Sequence, residues 1–258
     1  MKEISCEELQ QIVATHNIGS RRTLREVLER TETLEDLVSV LARYGGWNQC
    51  LKGPGAGLVA QLHRSQDLFG YFEAQEASSG VFEALVDEFR DRHDFLLQAF
   101  LEGTAVFFYV SREAVLNLMR HPSVLAAQQK LWEGYGETCY GDLQKLVMAV
   151  GFHCGSEFMA AFHEFPELDA FLTERWPEAK KYLETTSIPI GRRNYPAYGW
   201  VKDHAEGIEL RHFNASLDVF TAIMHAEGET RKYFLDGFLK FLKVQEEFMD
   251  VLALPVPF

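Results

Sequence analysis

Basic side chains are scarce in this chain: 25 Lys and Arg stand against 38 Asp and Glu, a formal net charge of -13. Phosphate backbones and anionic lipid surfaces are gripped by clustered cations, so this balance argues against a nucleic-acid or membrane-surface partner. The basic pairs that exist, such as Arg21-Arg22 and Arg192-Arg193, are too isolated to form a stripe. Cysteine is equally rare. Cys6, Cys50, Cys139 and Cys154 include no C-x-x-C pair, which leaves zinc knuckles and dithiol redox sites unsupported. The opening residues hold no apolar stretch of the secretory kind, so the thiols are expected to be reduced, in a cytoplasmic setting. Long hydrophobic runs are missing too. The longest, Phe95 to Val110, is short for a membrane span and carries Gln98 and Glu102. Strand-like alternation is scarce: Ala105 to Ser111 has strand propensity but continues a helical face.

What remains is apolar and helical. Hydrophobic residues make up 47% of 258 positions, enough to bury a substantial core. Leu24, Val27, Leu28, Leu34, Leu37, Val38 and Leu41 suggest two short helices or one interrupted helix. Gly45-Gly46 and Gly53-Pro54-Gly55 read as breaks. Phe82, Leu85, Val86, Phe89, Phe95, Leu96 and Phe100 trace one face of a longer helix. Further helices are expected over Asp142 to Phe162, stopped or bent by Pro166, then from about Trp200 to Met224. A last one runs from Glu229 to about Leu252 after a break at Gly228. Ser187 to Tyr198, with two prolines and Gly191, reads as a loop. The expectation is an all-α, single-domain helical bundle over residues 1–258.

Several titratable side chains interrupt the apolar faces. Glu209 and His212 form an E-x-x-H pair, and positions three apart share a helix face, so both can reach one metal ion. His204 lies two turns before His212 on roughly the same side. Imidazole plus carboxylate suits iron, with zinc also possible. Glu157 is a lone carboxylate among small and apolar residues, and burying it unpaired would cost several kcal/mol, roughly, so it needs a partner, a metal or an exposed position. In the charged stretch Val86 to Asp94, Glu88 or Asp87 and His93 could supply ligands, although a solvated face of internal ion pairs explains that stretch equally well. An ion-paired exposed face beside Arg211 is the competing account of Glu209 and His212. His153 and His163 flank Glu157 but are read as lying at different angles. Arg192 and Arg193 could clamp a substrate carboxylate through a guanidinium fork, or merely occupy an exposed turn.

The order of these groups resembles the haem-oxygenase-like di-iron oxidases and oxygenases. That family includes the fatty-acid decarboxylase that makes terminal alkenes, N-oxygenases, and enzymes that fragment amino acids. There a carboxylate and a His come from an early helix, a Glu from a middle helix, and H-x-x-x-D-x-x-H from a late one. The matching positions here are Glu88 and His93, then Glu157, then His204, Glu209 and His212. The resemblance covers roughly the last two-thirds of the chain. It implies that residues 1–80 supply N-terminal helices and 81–258 a metal-binding core. It also implies two ferrous ions, dioxygen as co-substrate, an external electron donor, and an amino-acid-like or fatty-acid-like substrate. A homodimer is the default oligomeric expectation.

Three departures carry consequences. His204 to His212 is one residue longer than the family spacing, which demands a bulged turn or a different ligand. Glu209 stands where Asp is usual. No acid occupies the commonest offset from His93, so Glu83, Asp87 and Glu102 stay open as alternatives to Glu88. Two other readings compete with an oxidase: a metal-free helical enzyme of the thiaminase-II-like or quinone-cofactor-synthase-like type, using carboxylates as acid and base, and a non-catalytic helical binding module.

Overall fold

The computed structural model describes residues 4–15, 23–90, 93–136, 141–224 and 230–256. The described residues are mostly helical. It opens with α1 (Cys6–Thr15), α2 (Leu24–Glu29), α3 (Leu34–Gln49), α4 (Lys52–Arg64) and α5 (Gln66–Phe69). Then come α6 (Tyr71–Arg90), α7 (His93–Phe107), α8 (Arg112–Met119) and α9 (Pro122–Tyr135). The second half holds α10 (Leu143–Met159), α11 (Phe165–Arg175), α12 (Pro177–Thr185), α13 (Gly199–Asp203), α14 (Glu209–Met224) and α15 (Thr230–Leu252). Two widened π turns, Ala160–Glu164 and His204–Ile208, join α10 to α11 and α13 to α14. Among the described residues no helix is long and apolar enough to cross a membrane.

Local chemistry sets many helix starts. Thr23 and Thr33 each accept a hydrogen bond from the backbone three residues on, while Glu26 and Asp36 accept from the cap amides in return, so α2 and α3 both open with a capping box. Asp142 caps α10 by accepting from Lys145 N at 3.1 Å. α10 is the hub of the bundle. It packs most extensively on α15 and also lies against α14, α9 and α4, while α6 packs on α14 and α4. The α10–α15 crossing is backbone-close. A Cβ at Gly237 would overlap the Met148 carbonyl, and one at Gly151 would overlap that of Phe234. α3 is tied to the end of α15 by buried Arg43, which donates to the Val251 and Leu252 carbonyls at 2.9 Å, a cation placed at the negative end of a helix.

The fold departs from the sequence reading in five places. Gly45-Gly46 lies inside α3, because Gly46 lets the Met119 carbonyl approach the helix. Gly53-Pro54-Gly55 opens α4, where the missing proline amide has no intrahelical partner to lose. The apolar face expected to run from Phe82 to Phe100 is not continuous, since Phe82 on α6 and Phe95 on α7 are exposed; the join between these two segments lies outside the described residues. Ser187 to Tyr198 contains an antiparallel hairpin, β1 (Ser187–Ile190) with β2 (Arg193–Pro196), turning through Gly191 at φ 62°. Ile188 and Tyr195, paired across it, are both buried. Pro166 does not end the helix. A proline ring would clash with the carbonyl four residues back in a regular helix, and the π turn just before it opens that space. The break expected at Gly228 lies outside the described residues.

The close crossing is testable. Gly237→Ala is expected to destabilise by about 1–3 kcal/mol or more through overpacking. Gly57→Ala, in open space on α4, should stabilise by a few tenths to about 1 kcal/mol. Urea-unfolding midpoints compare them. Equal midpoints would refute the account of the α10–α15 contact.

Candidate metal centre

The last turn of α10, the second π turn and the start of α14 bring Glu157, Glu209 and His212 together. One ligand atom from each lies within 4.8 Å of the other two, the spacing expected when each is about 2 Å from a shared ion. His212 Nδ1 faces both carboxylates, at 3.5 Å from Glu157 Oε2 and 3.5 Å from Glu209 Oε2. Glu209 turns its other oxygen, Oε1, to His204 Nε2 at 3.1 Å. His93 is buried beside them, its ring centroid 4.6 Å from that of His204. Glu157 Oε1 faces His153 Nδ1 at 3.4 Å. These groups line a cavity of about 70 Å³ whose apolar walls include Trp47, Leu85, Leu97, Phe165, Trp200 and Phe241.

The His204 contact is the most informative. Its Nδ1 lies 2.6 Å from the Trp200 carbonyl oxygen, which only accepts, so Nδ1 carries the hydrogen. In a neutral ring, Nε2 is then a lone pair pointing at a carboxylate oxygen. Two acceptors approach that closely only with a cation between them, a proton or a metal ion. An Nδ1–H donated to a backbone carbonyl is also the usual device that aims Nε2 at a metal. His153 Nε2 is buried with no hydrogen-bond partner among the described residues.

The second π turn makes this convergence. His204 and Glu209 are five residues apart, which a regular helix turns to different sides, whereas a π turn closes at i to i+5. Gly207, at φ 110°, provides the kink. Of the two outcomes left open for the His204 to His212 spacing, a bulged turn or a different ligand, a bulged turn is present there.

Electrostatics follow from crowding charge in an apolar space. For His212, burial favours the neutral ring, but hydrogen bonds and charge from Glu157 and Glu209 outweigh it and push the imidazole up to about 11. Burial would raise Glu157, yet His212 and His153 hold its carboxyl below the usual range. At Glu209 burial wins and the carboxyl is raised. Burial lowers His153. Glu164, at the end of the first π turn, also lines the cavity, and burial pushes it up to about 7.

The other sequence candidates divide. Glu88 lies on α6 and Asp87 beside it, but their side chains are outside the described residues. Glu83 is exposed, and Glu102 pairs with Arg112 at 2.8 Å away from this cavity. The carboxylate from α7 that does reach the cavity wall is Asp94, paired with Lys52 at 2.8 Å. Arg192 and Arg193 sit exposed at the hairpin and do not line the cavity, so a guanidinium clamp there has no pocket to serve. The exposed-face account of Glu209 and His212 fails, since both are 4% exposed. The expected angular separation of His153 from Glu157 also fails: His153 is one helical turn earlier and on the same face, while His163, within the first π turn, pairs with Glu167 at 3.7 Å. The H-x-x-x-E spacing of His153 and Glu157 is the sequence signal for that pair. Tyr135, whose hydroxyl lies 3.1 Å from His153 Nδ1, has no such signal. Comparison with protein-family models, curated proteins and solved structures found no match.

Two outcomes are expected. Gly207→Ala forces a side chain into left-handed backbone, at a strain of roughly 1–3 kcal/mol, and should weaken metal binding as the turn resets. Calorimetric metal titration identical to wild type would contradict this. The second concerns Glu164. Its folded carboxyl is raised from 4.5 to about 7, so the folded state holds the extra proton between those values. Its contribution is therefore complete below about pH 4.5 and is lost as pH rises through about 7, an effect of about 3 kcal/mol. Chelator-treated wild type should lose stability relative to Glu164→Gln across that window. A flat difference in denaturant midpoints would be the contrary result.

Proposed function

We propose that this chain is a non-haem di-iron oxidase or oxygenase that uses dioxygen to oxidise or cleave a small organic acid or amine, with an amino acid or fatty acid as substrate class. The observation that carries the reading is the divided Glu209 carboxylate, with one oxygen toward His204 and the other toward His212. A carboxylate placed between two imidazoles is the donor arrangement for bridging two ions. His204 and His93 stand on one side of it, and His212, Glu157 and His153 on the other. The resemblance in residue order supports the same reading.

Ferrous ions held there would supply dioxygen activation, with electrons from an external donor. The chain's own residues do the remaining work. The Trp200 carbonyl orients His204, and Phe165 stacks on that imidazole at 4.2 Å between centroids, so the ring cannot swing out. Trp47, Leu97, Phe165 and Trp200 give the cavity apolar walls and leave room for small reactants. Lys52 and Asp94 stand at the polar end of the same cavity, where a charged substrate group could meet them. A metal-free acid–base enzyme of the thiaminase-II-like or quinone-cofactor-synthase-like type is the second reading, favoured by one observation: a buried carboxyl, Glu164, poised near neutrality on the cavity wall.

Anaerobic loading with ferrous iron followed by elemental analysis separates them. Wild type should hold about two irons per chain. Glu209→Ala should lose both, and His204→Ala should lose the one on its own side, with helical circular dichroism retained. No iron in wild type, or full occupancy in Glu209→Ala, would sink the di-iron assignment.

A further inference from the structure

Glu164 is the buried titratable group that the metal reading leaves unassigned. It is 5% exposed. Tyr44 Oη donates to its Oε2 at 2.7 Å, and Gln245 Nε2 donates to its Oε1. Among the described residues no cation pairs with it. Its position is unusual in a second way, since it lines two cavities. One is the metal cavity; the other, about 50 Å³, is lined on the far side by Met159, His163, Glu167, Leu242 and Glu246. His163 and Glu167 in that second cavity are partly exposed, at 36% and 22% of their side chains. Each cavity has room for one or more waters beside polar groups.

We propose that Glu164 is a proton-transfer residue connecting the second cavity to the metal cavity. The inference rests on the oxidase reading, because reducing dioxygen consumes protons as well as electrons, and Glu164 is a carboxyl on the wall of the metal cavity that also lines the second cavity. The transfer is balanced. The carboxylate takes a proton from water in the second cavity, forming an O–H bond as one breaks on the donor. It then gives that proton to an acceptor in the metal cavity and returns to carboxylate. Tyr44 and Gln245 hold the group at the partition between the two spaces.

The facing groups suit the task. From α3 comes Tyr44, from α15 Gln245 and Glu246, from α11 Glu167, and from α14 Glu209, with His163 on Glu164's own turn. Burial is the main force raising the carboxyl, and the charges of Glu167 and Glu209 add to it, so both protonation states are accessible near neutral pH.

Glu164→Gln keeps the shape and removes the titration. Infrared difference spectra of chelator-treated wild type should show a protonated-carboxyl band that disappears as pH rises through about 7 and is missing from the variant. Iron occupancy should be unchanged. In a single anaerobic-to-aerobic mixing, oxidation of bound iron should slow on the order of tenfold or more and lose its pH dependence near neutrality. Should Glu164→Gln fail to fold, Tyr44→Phe removes one donor to the carboxylate and must move the infrared transition to higher pH. A band that persists in Glu164→Gln, an unmoved transition in Tyr44→Phe, or iron oxidation at the wild-type rate and pH profile would overturn the relay alone. A wild-type chain that takes up no iron removes the relay together with the oxidase reading.

Discussion

Two hydrogen-bond acceptors held face to face in a buried space govern this structure. His204 has its Nδ1 committed to a backbone carbonyl, so its Nε2 and the Glu209 carboxylate meet at 3.1 Å with nothing but a cation able to reconcile them. The same carboxylate then meets His212, and His212 meets Glu157. Leaving such groups uncompensated in an apolar interior would cost several kcal/mol each, roughly, a large share of the stability of a domain this size. The arrangement therefore has to be held open by packing elsewhere and satisfied by protons or metal ions at the centre.

The packing that does so is concentrated on α10. Its glycines bring α15 to backbone contact on one side, and on the other it presents His153 and Glu157 toward α14. The two π turns flank that face. One rotates His204 onto the line of Glu209, and the other carries Glu164 to the wall between two cavities. Widened turns are less stable than regular helix, and here each one places a titratable side chain that a regular helix would have turned aside. Stability contributed by the close helix crossing thus offsets local irregularity at the site.

How much of this is legible in the sequence depends on the range of the interaction. Glu209 and His212 can be paired because three residues is a fixed angular step on a helix. The one-residue excess between His204 and His212 exists only against the spacing of the family the sequence resembles, where it left a bulged turn or a different ligand open; the π turn lies at that place. Glu157 stands out as a carboxylate among apolar neighbours. His153 is within reach of the same arithmetic, four residues before Glu157, although its ring is easily passed over beside His163. Tyr44, Gln245 and Asp94 are not legible, because what assigns them is contact between distant elements. Arg192 and Arg193 resemble a clamp only while their loop has no position; the hairpin turns them to solvent. A glycine misleads at Gly46, where it permits the backbone of another segment to approach the helix and does not break it.

Anomalous-difference crystallography at the iron absorption edge, on crystals of anaerobically iron-loaded protein, tests the central claim most directly. The account predicts two peaks flanking the Glu209 carboxylate, one next to His204 and one next to His212. Absence of anomalous density at Glu209 in an iron-loaded crystal, with His204 Nε2 still in direct contact with the carboxylate, would contradict it, for a proton would then be the cation that reconciles the pair.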